Sequence, residues 1–156
     1  MRTEPGAGTP LARLFAIAYR SLIDSLHGQL RARGWTDVRP AFGFVLLAAG
    51  DSSTTSTELA SLMGTTKQAA SKLIETMDVA GYVRRTANND DARQRPVELT
   101  PRGRHLLATV EQIYTELEAE WALVIGQSNI ERLRHDLVTV LSQLNGGELP
   151  PVRPTW

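Results

Sequence analysis

Cysteine is absent from the 156 residues, which removes disulfides, thiolate metal sites, cysteine nucleophiles and thiol-based redox sensing together. Net charge is missing as well. Seventeen Lys and Arg balance 17 Asp and Glu, and the pI is near 6.8, so no whole-molecule basic field draws the chain to nucleic acid and any such attraction must be local. No run of about 18 apolar residues offers a membrane span, and the first residues lack the charged-then-apolar pattern of a secretory signal. A cytoplasmic protein with no membrane partner is expected. Histidine is scarce: His27, His105 and His135 fall on three different expected helices, none with a second histidine one helical turn away. A Gly-rich phosphate loop and a nucleophile elbow are both lacking, and Asp90-Asp91 sits on a loop tip unsuited to paired-carboxylate catalysis. These absences argue against an enzyme, a cofactor or a resident metal.

What is present suits one globular domain: 42% of residues are hydrophobic and 22% charged. The charge is unevenly spread. Residues 66–104 carry eight Lys/Arg against five acids, a balance of +3, and residues 105–156 carry three Arg against seven acids, a balance of −4. A basic middle and an acidic last third imply two surfaces with different partners.

Apolar residues at Leu11, Leu14, Phe15, Ala18, Leu22 and Leu26 fall at three- and four-residue spacing and predict a helix that ends near Gly34. Pro40 offers a first helical position, and Phe42, Val45, Leu46 and Ala49 carry a second helix to Gly50. Only polar residues follow from 51 to 56. Thr55 with Glu58 forms a capping-box pattern that opens a short helix through Leu59, Ala60 and Leu62, stopped by Gly64. Thr65 with Gln68 repeats the pattern and predicts a helix over about 66–80. Its inner face is Ala70, Leu73, Ile74 and Met77; Gln68, Ser71, Lys72 and Glu75 lie opposite. Met63 and Met77 read as core. After Gly81, residues 82–86 and 97–100 read as two strands around a polar loop, a hairpin with a basic tip. Thr100-Pro101 caps a long helix striped by Leu106, Leu107, Val110, Ile113, Tyr114, Leu117 and Trp121. The chain breaks around 126–129. Ile130, Leu133, Leu137, Val140, Leu141 and Leu144 then make a last helix, ending at Asn145-Gly146-Gly147.

The wing sequence Asp91-Ala92-Arg93, followed by Val97-Glu98-Leu99-Thr100-Pro101-Arg102-Gly103, with Leu59-Ala60 and Gly81-Tyr82-Val83-Arg84-Arg85 in register before it, resembles the MarR family of winged helix-turn-helix regulators. The resemblance spans roughly 11–144. It implies a mainly α fold with a small β-hairpin wing: a tail at 1–10, N-terminal helices at 11–50, a winged helix-turn-helix at 51–100, dimerisation helices at 101–146 and a tail at 147–156. It places Thr66, Lys67, Gln68, Ser71 and Lys72 on a recognition helix entering a major groove. Arg93 takes the place of the wing arginine reaching a minor groove, and Asp91 that of the carboxylate orienting it. One departure is Ala69-Ala70, where a longer basic side chain is common, so base readout leans on Gln68, Lys72 and the wing. The resemblance also implies a homodimer on a pseudo-palindromic double-stranded operator, acting as a repressor released by a small aromatic or anionic effector. The effector cleft would lie between the first, second and fifth helices, with Phe15, Tyr19, Phe42, Phe44 and His105 as candidates for its lining.

The residues support this reading without the family. Gln68, Ser71 and Lys72 can exchange hydrogen bonds with base edges, and a Gln can pair with adenine through two. Capped helix N-termini at Thr55 and Thr65 present backbone N–H groups to phosphate. Arg84, Arg85, Arg93 and Arg95 add positive charge along a narrow ribbon. Leu11, Leu14, Leu133, Leu137, Val140, Leu141 and Leu144 read as a dimer seam, with an internal core as the other reading of the last helix. Two rival functions remain at this point: a winged-helix module that binds a protein, and a metal-responsive regulator using His27 or His105.

Overall fold

In the computed structural model, residues 6–86 and 95–154 are described, and among them the chain forms six helices and one antiparallel hairpin. Helix α1 (Leu11–Ala32) ends where Gly34 adopts φ +89°, with the Trp35 N–H returning to the Leu30 carbonyl. Its expected apolar stripe is only half used. Leu26 and Leu30 are buried against the rest of the protomer, whereas Leu11, Leu14, Phe15, Ile17 and Tyr19 remain exposed.

Helix α2 (Phe42–Asp51) runs through the centre, with Phe42, Phe44, Val45, Leu46 and Ala49 all buried. Pro40 is not its first helical residue, as the sequence suggested. Arg39 and Pro40 form a turn whose carbonyls accept from the N–H groups of Phe42 and Gly43, so the helix starts two residues later. The polar stretch that follows is not mere connector: Thr54 exchanges two backbone hydrogen bonds with Val97, at 3.1 and 2.7 Å, and both Thr54 and Ser56 are buried. Pairing with the hairpin satisfies the Thr54 backbone groups, which is why Thr54 tolerates burial here, whereas the buried Ser56 hydroxyl has no partner among the described residues.

Helix α3 (Ser56–Met63) opens with the expected capping box. The Glu58 N–H donates to Thr55 Oγ1 at 3.1 Å, and the Thr55 N–H donates to Glu58 Oε2 at 2.8 Å. It closes at Gly64, φ +62°, with the Thr65 N–H bonded back to the Ala60 carbonyl. That bond commits Thr65 to ending α3. The cap of α4 (Lys67–Val79) is therefore Thr66, whose Oγ1 accepts from the Ala69 N–H at 3.1 Å, and the second capping box expected at Thr65 does not form.

Strands β1 (Val83–Arg85) and β2 (Val97–Leu99) pair in the register Val83 with Leu99, Arg84 with Glu98 and Arg85 with Val97. Helix α5 (Pro101–Ile125) is capped by Thr100, and α6 (Gln127–Leu144) follows after the single residue Gly126, a tighter break than the four residues expected. The α5 stripe packs inward as read, with Leu106, Ile113 and Leu117 buried, whereas α6 buries only Ile130 in the protomer. At Gly103 a Cβ would lie 2.0 Å from the Tyr82 carbonyl oxygen, so glycine is what lets α5 approach the root of the hairpin.

Candidate nucleic-acid interface and adjoining cavity

Helix α4 presents the reading face because its inner side is fully spent on the core: Ala70, Ile74 and Met77 are buried. Thr66, Lys67, Gln68 and Lys72 are exposed on the other side, and Ser71 is half-buried between them. Of the alanine pair, Ala70 belongs to the core, so the shortened outward position is Ala69 alone. No acid stands in the first turn of α4, and among the described residues no carboxylate pairs with Lys67 or Lys72. The two helix N-termini are not equivalent. That of α3 already holds the Glu58 carboxylate, which repels phosphate; that of α4 is capped by a neutral hydroxyl and flanked by Lys67, and is the better anion site.

The arginines divide differently from the sequence expectation. Side chains alternate along a strand, so Arg84 and Arg85 point to opposite faces of the hairpin. Arg84 is exposed and lies 3.6 Å from the Glu98 carboxylate on the paired position, while Arg85 is half-buried and sits opposite the buried Val97. They cannot serve one ribbon face together. Arg95 is exposed. Asp91 and Arg93 lie outside the described residues.

One cluster was not anticipated. Arg102, at the start of α5, lies over the rings of Trp35 (5.2 Å) and Tyr82 (4.8 Å), donates to the Tyr82 hydroxyl at 3.2 Å and approaches Asp37 at 3.9 Å. Tyr82 in turn donates to Asp37 Oδ1. Burial, and then the Asp37 carboxylate that its hydroxyl serves, raise the Tyr82 pKa above the usual phenol value. The sequence signal was faint: Arg102 counted toward the charge of the middle region and stood in the wing motif without a role of its own. The cluster joins the loop after α1 to the root of the hairpin.

Between α1, α2 and α5 lies a cavity of about 180 Å³. Tyr19 and His27 of α1, Phe44 and Leu47 of α2, and Val110, Glu111 and Tyr114 of α5 line it, as do Arg39 and Val152. Of the five cleft candidates, Tyr19 and Phe44 are on its wall and three are not. Phe42 is packed in the core against Tyr82, with ring centroids 5.9 Å apart. His105, two residues before the cavity-lining Leu107, points from another face of α5 onto Trp35 at 5.3 Å, and Phe15 is one turn too far toward the N-terminus of α1. Burial lowers the His27 pKa, with Arg31 adding to the effect; burial raises that of Tyr114, with Tyr19 and Glu111 nearby. Among the described residues no group of His, Asp and Glu could hold a metal ion, and no helix is long and apolar enough to cross a membrane.

Residues 44–94, from the second helix through the reading head, match the MarR family. A MarR mutant from E. coli is similar at 23% identity over 85% of this chain and 96% of that one, with a TM-score of 0.70. The chain has the winged helix-turn-helix fold of that solved structure, and its central segment is similar to the MarR family. The transcriptional regulator BldR from Sulfolobus solfataricus is similar at 23% identity, covering 91% and 99% of the two chains with a TM-score of 0.63. MepR from S. aureus, solved bound to ethidium bromide, is similar at 19% identity, covering 88% and 99% with a TM-score of 0.57. No curated protein matches by sequence. The family segment ends within the wing sequence, and the terminal helices are carried by the fold comparison.

Proposed function

We propose that this MarR-type chain is a homodimeric, sequence-specific double-stranded DNA-binding transcriptional regulator that represses by occupying its operator and is released by a small effector. The observation that carries the reading is the α4 surface: Lys67, Gln68 and Lys72 stand exposed beside the neutral Thr66 cap, with no acid in the first turn. A major groove admits such a helix, Gln68 reads a base edge, and the two lysines meet phosphate. Arg95 and Arg84 extend the positive strip. Arg93 is assigned to the wing contact by its sequence alone.

Dimerisation is supported by apolar surface that the protomer does not cover. Leu11 at 68% exposure and Leu144 at 76% lie at the two ends of the chain, and Leu14, Leu133, Val140 and Leu141 extend these faces. Two reading heads then meet half-sites one helical turn apart, about 34 Å. The cavity between α1, α2 and α5 is the effector cleft of this proposal; a fold relative that has been solved with ethidium bromide supports small-molecule binding.

Selection of bound duplexes from a randomised library tests the reading. Enrichment of a two-fold symmetric motif is the expected outcome; no enrichment, with the folded protein capturing a protein partner through α4 instead, would replace it with an interaction module.

A further inference from the structure

Residues 147–156 read in the sequence as a loose tail, yet Val152 is part of the cavity wall. Helix α6 turns back at Gly126, and the ion pair between Arg134 and Glu118, each eight residues from that glycine, holds it antiparallel to α5. The end of α6 is thereby carried back toward the part of α5 that contributes Leu107, Val110 and Tyr114 to the cavity. Eight residues separate Leu144 from Val152, a reach of roughly 26 Å when extended. Pro150, Pro151 and Pro154 restrict the backbone of this stretch, so that holding it in one place costs little chain entropy. Pro154 is partly buried, as a residue laid against the body of the protein is.

We propose that residues 149–154 form a strap that gates the cavity, with Val152 closing its mouth, and that the closed cavity admits neutral single-ring molecules only. The gate rests on the effector-cleft reading above. Size sets the ligand class: an apolar protein cavity of about 150 Å³ takes one benzene ring, and this one measures about 180 Å³. Charge sets the rest. Arg39 and Glu111 line the cavity with opposite signs, leaving no net preference for an ion, and Tyr19 and Tyr114, both on its wall, offer hydroxyls to a polar edge. Larger polycyclic molecules enter only when the strap lifts.

Two measurements on the dimer test this. The chain has no cysteine, so Arg153→Cys carries a single nitroxide label; it should broaden the methyl signals of Leu26, Leu107 and Val110 in the full chain. Methyl signals unchanged by the label would overturn the strap. Binding of phenol and of the larger N-phenyl-1-naphthylamine is then compared in the wild type, in full-length Val152→Asp and in a chain ending at Gly147. Phenol should bind all three. The larger probe should bind the two altered chains roughly tenfold tighter than the wild type, because Val152, 58% exposed with its inner side on the cavity, no longer stands at the mouth. Equal affinity of that probe for all three chains would overturn the gate. Methyl broadening with no uptake of either probe by any chain would sink the effector-cleft reading and the gate with it.

Discussion

Replacing Gly103 with alanine should destabilise the protein, although alanine is ordinarily the better helix former by roughly 0.5–1 kcal/mol. A Cβ there would stand 2.0 Å from the Tyr82 carbonyl oxygen, where ordinary contact begins at 3.4 Å, and 3.0 Å from the Tyr82 carbonyl carbon. The obstacle is backbone, so no rotamer change relieves it; the start of α5 must recede from the hairpin root by more than an ångström. That movement breaks the bond from the Thr100 N–H to the Tyr82 carbonyl, now 3.0 Å, and strains the one from the Thr100 hydroxyl to the Gly81 carbonyl. Two hydrogen bonds at about 1 kcal/mol each, plus an overpacking cost of about 2 kcal/mol, less the propensity gain, leave a net loss of about 3 kcal/mol.

Gly28 is the matched control. It lies inside α1, and a Cβ there meets nothing within 4 Å, so Gly28→Ala should stabilise by roughly 0.5–1 kcal/mol. Urea unfolding of both variants at one fixed protein concentration, because the stability of the proposed dimer would depend on concentration, reads the difference directly. If Gly103→Ala stabilised as Gly28→Ala does, α5 would not be seated on the hairpin as described.

Thr66→Ala should cost about 1 kcal/mol by removing the cap of α4, and Thr65→Ala less than about 0.5 kcal/mol because Thr65 contributes its backbone N–H, as urea midpoints would show. Burial and Arg31 hold the His27 pKa below 6.5, so the unfolded chain takes up that proton first and stability falls as pH drops through the ordinary value. His27→Gln should flatten this acid limb of a stability-pH profile; an unchanged limb would assign it elsewhere. Replacing Leu137 and Leu141 with glutamate should yield folded monomers in sedimentation, and an intact dimer would exclude α6 from the seam.

Local rules carried far in this chain. The capping box at Thr55, the stop at Gly64 and the inner face of α4 are each set by residues three or four apart, and each is where the sequence placed it. The cap of α4 was misplaced by one residue because Thr65 and Thr66 are both good caps; the choice fell to the backbone bond that finishes α3, which a spacing pattern does not contain. The hairpin arginines were read as one patch, yet strand alternation separates them. Long-range contacts were hidden altogether. Nothing in the periodicity of Trp35, Asp37, Tyr82 and Arg102 announces that three elements bring them together, and Phe42, read as a cleft residue, went to the core because it faces Tyr82 and not the side of α2 that carries Gly43 and Leu47 to the cavity.

The central claim is that α4 reads DNA, and fluorescence anisotropy on a library-selected duplex and an unrelated one, across a salt series, tests it most directly. Wild-type affinity should fall steeply with salt on both, with tighter binding to the selected duplex. Gln68→Ala should lose about 1–3 kcal/mol on the selected duplex and little on the other, because a base contact carries sequence and a phosphate contact does not. Affinity that ignores salt, or a Gln68→Ala variant that stays folded, dimeric and equally selective, would contradict the assignment of this helix as the reading element.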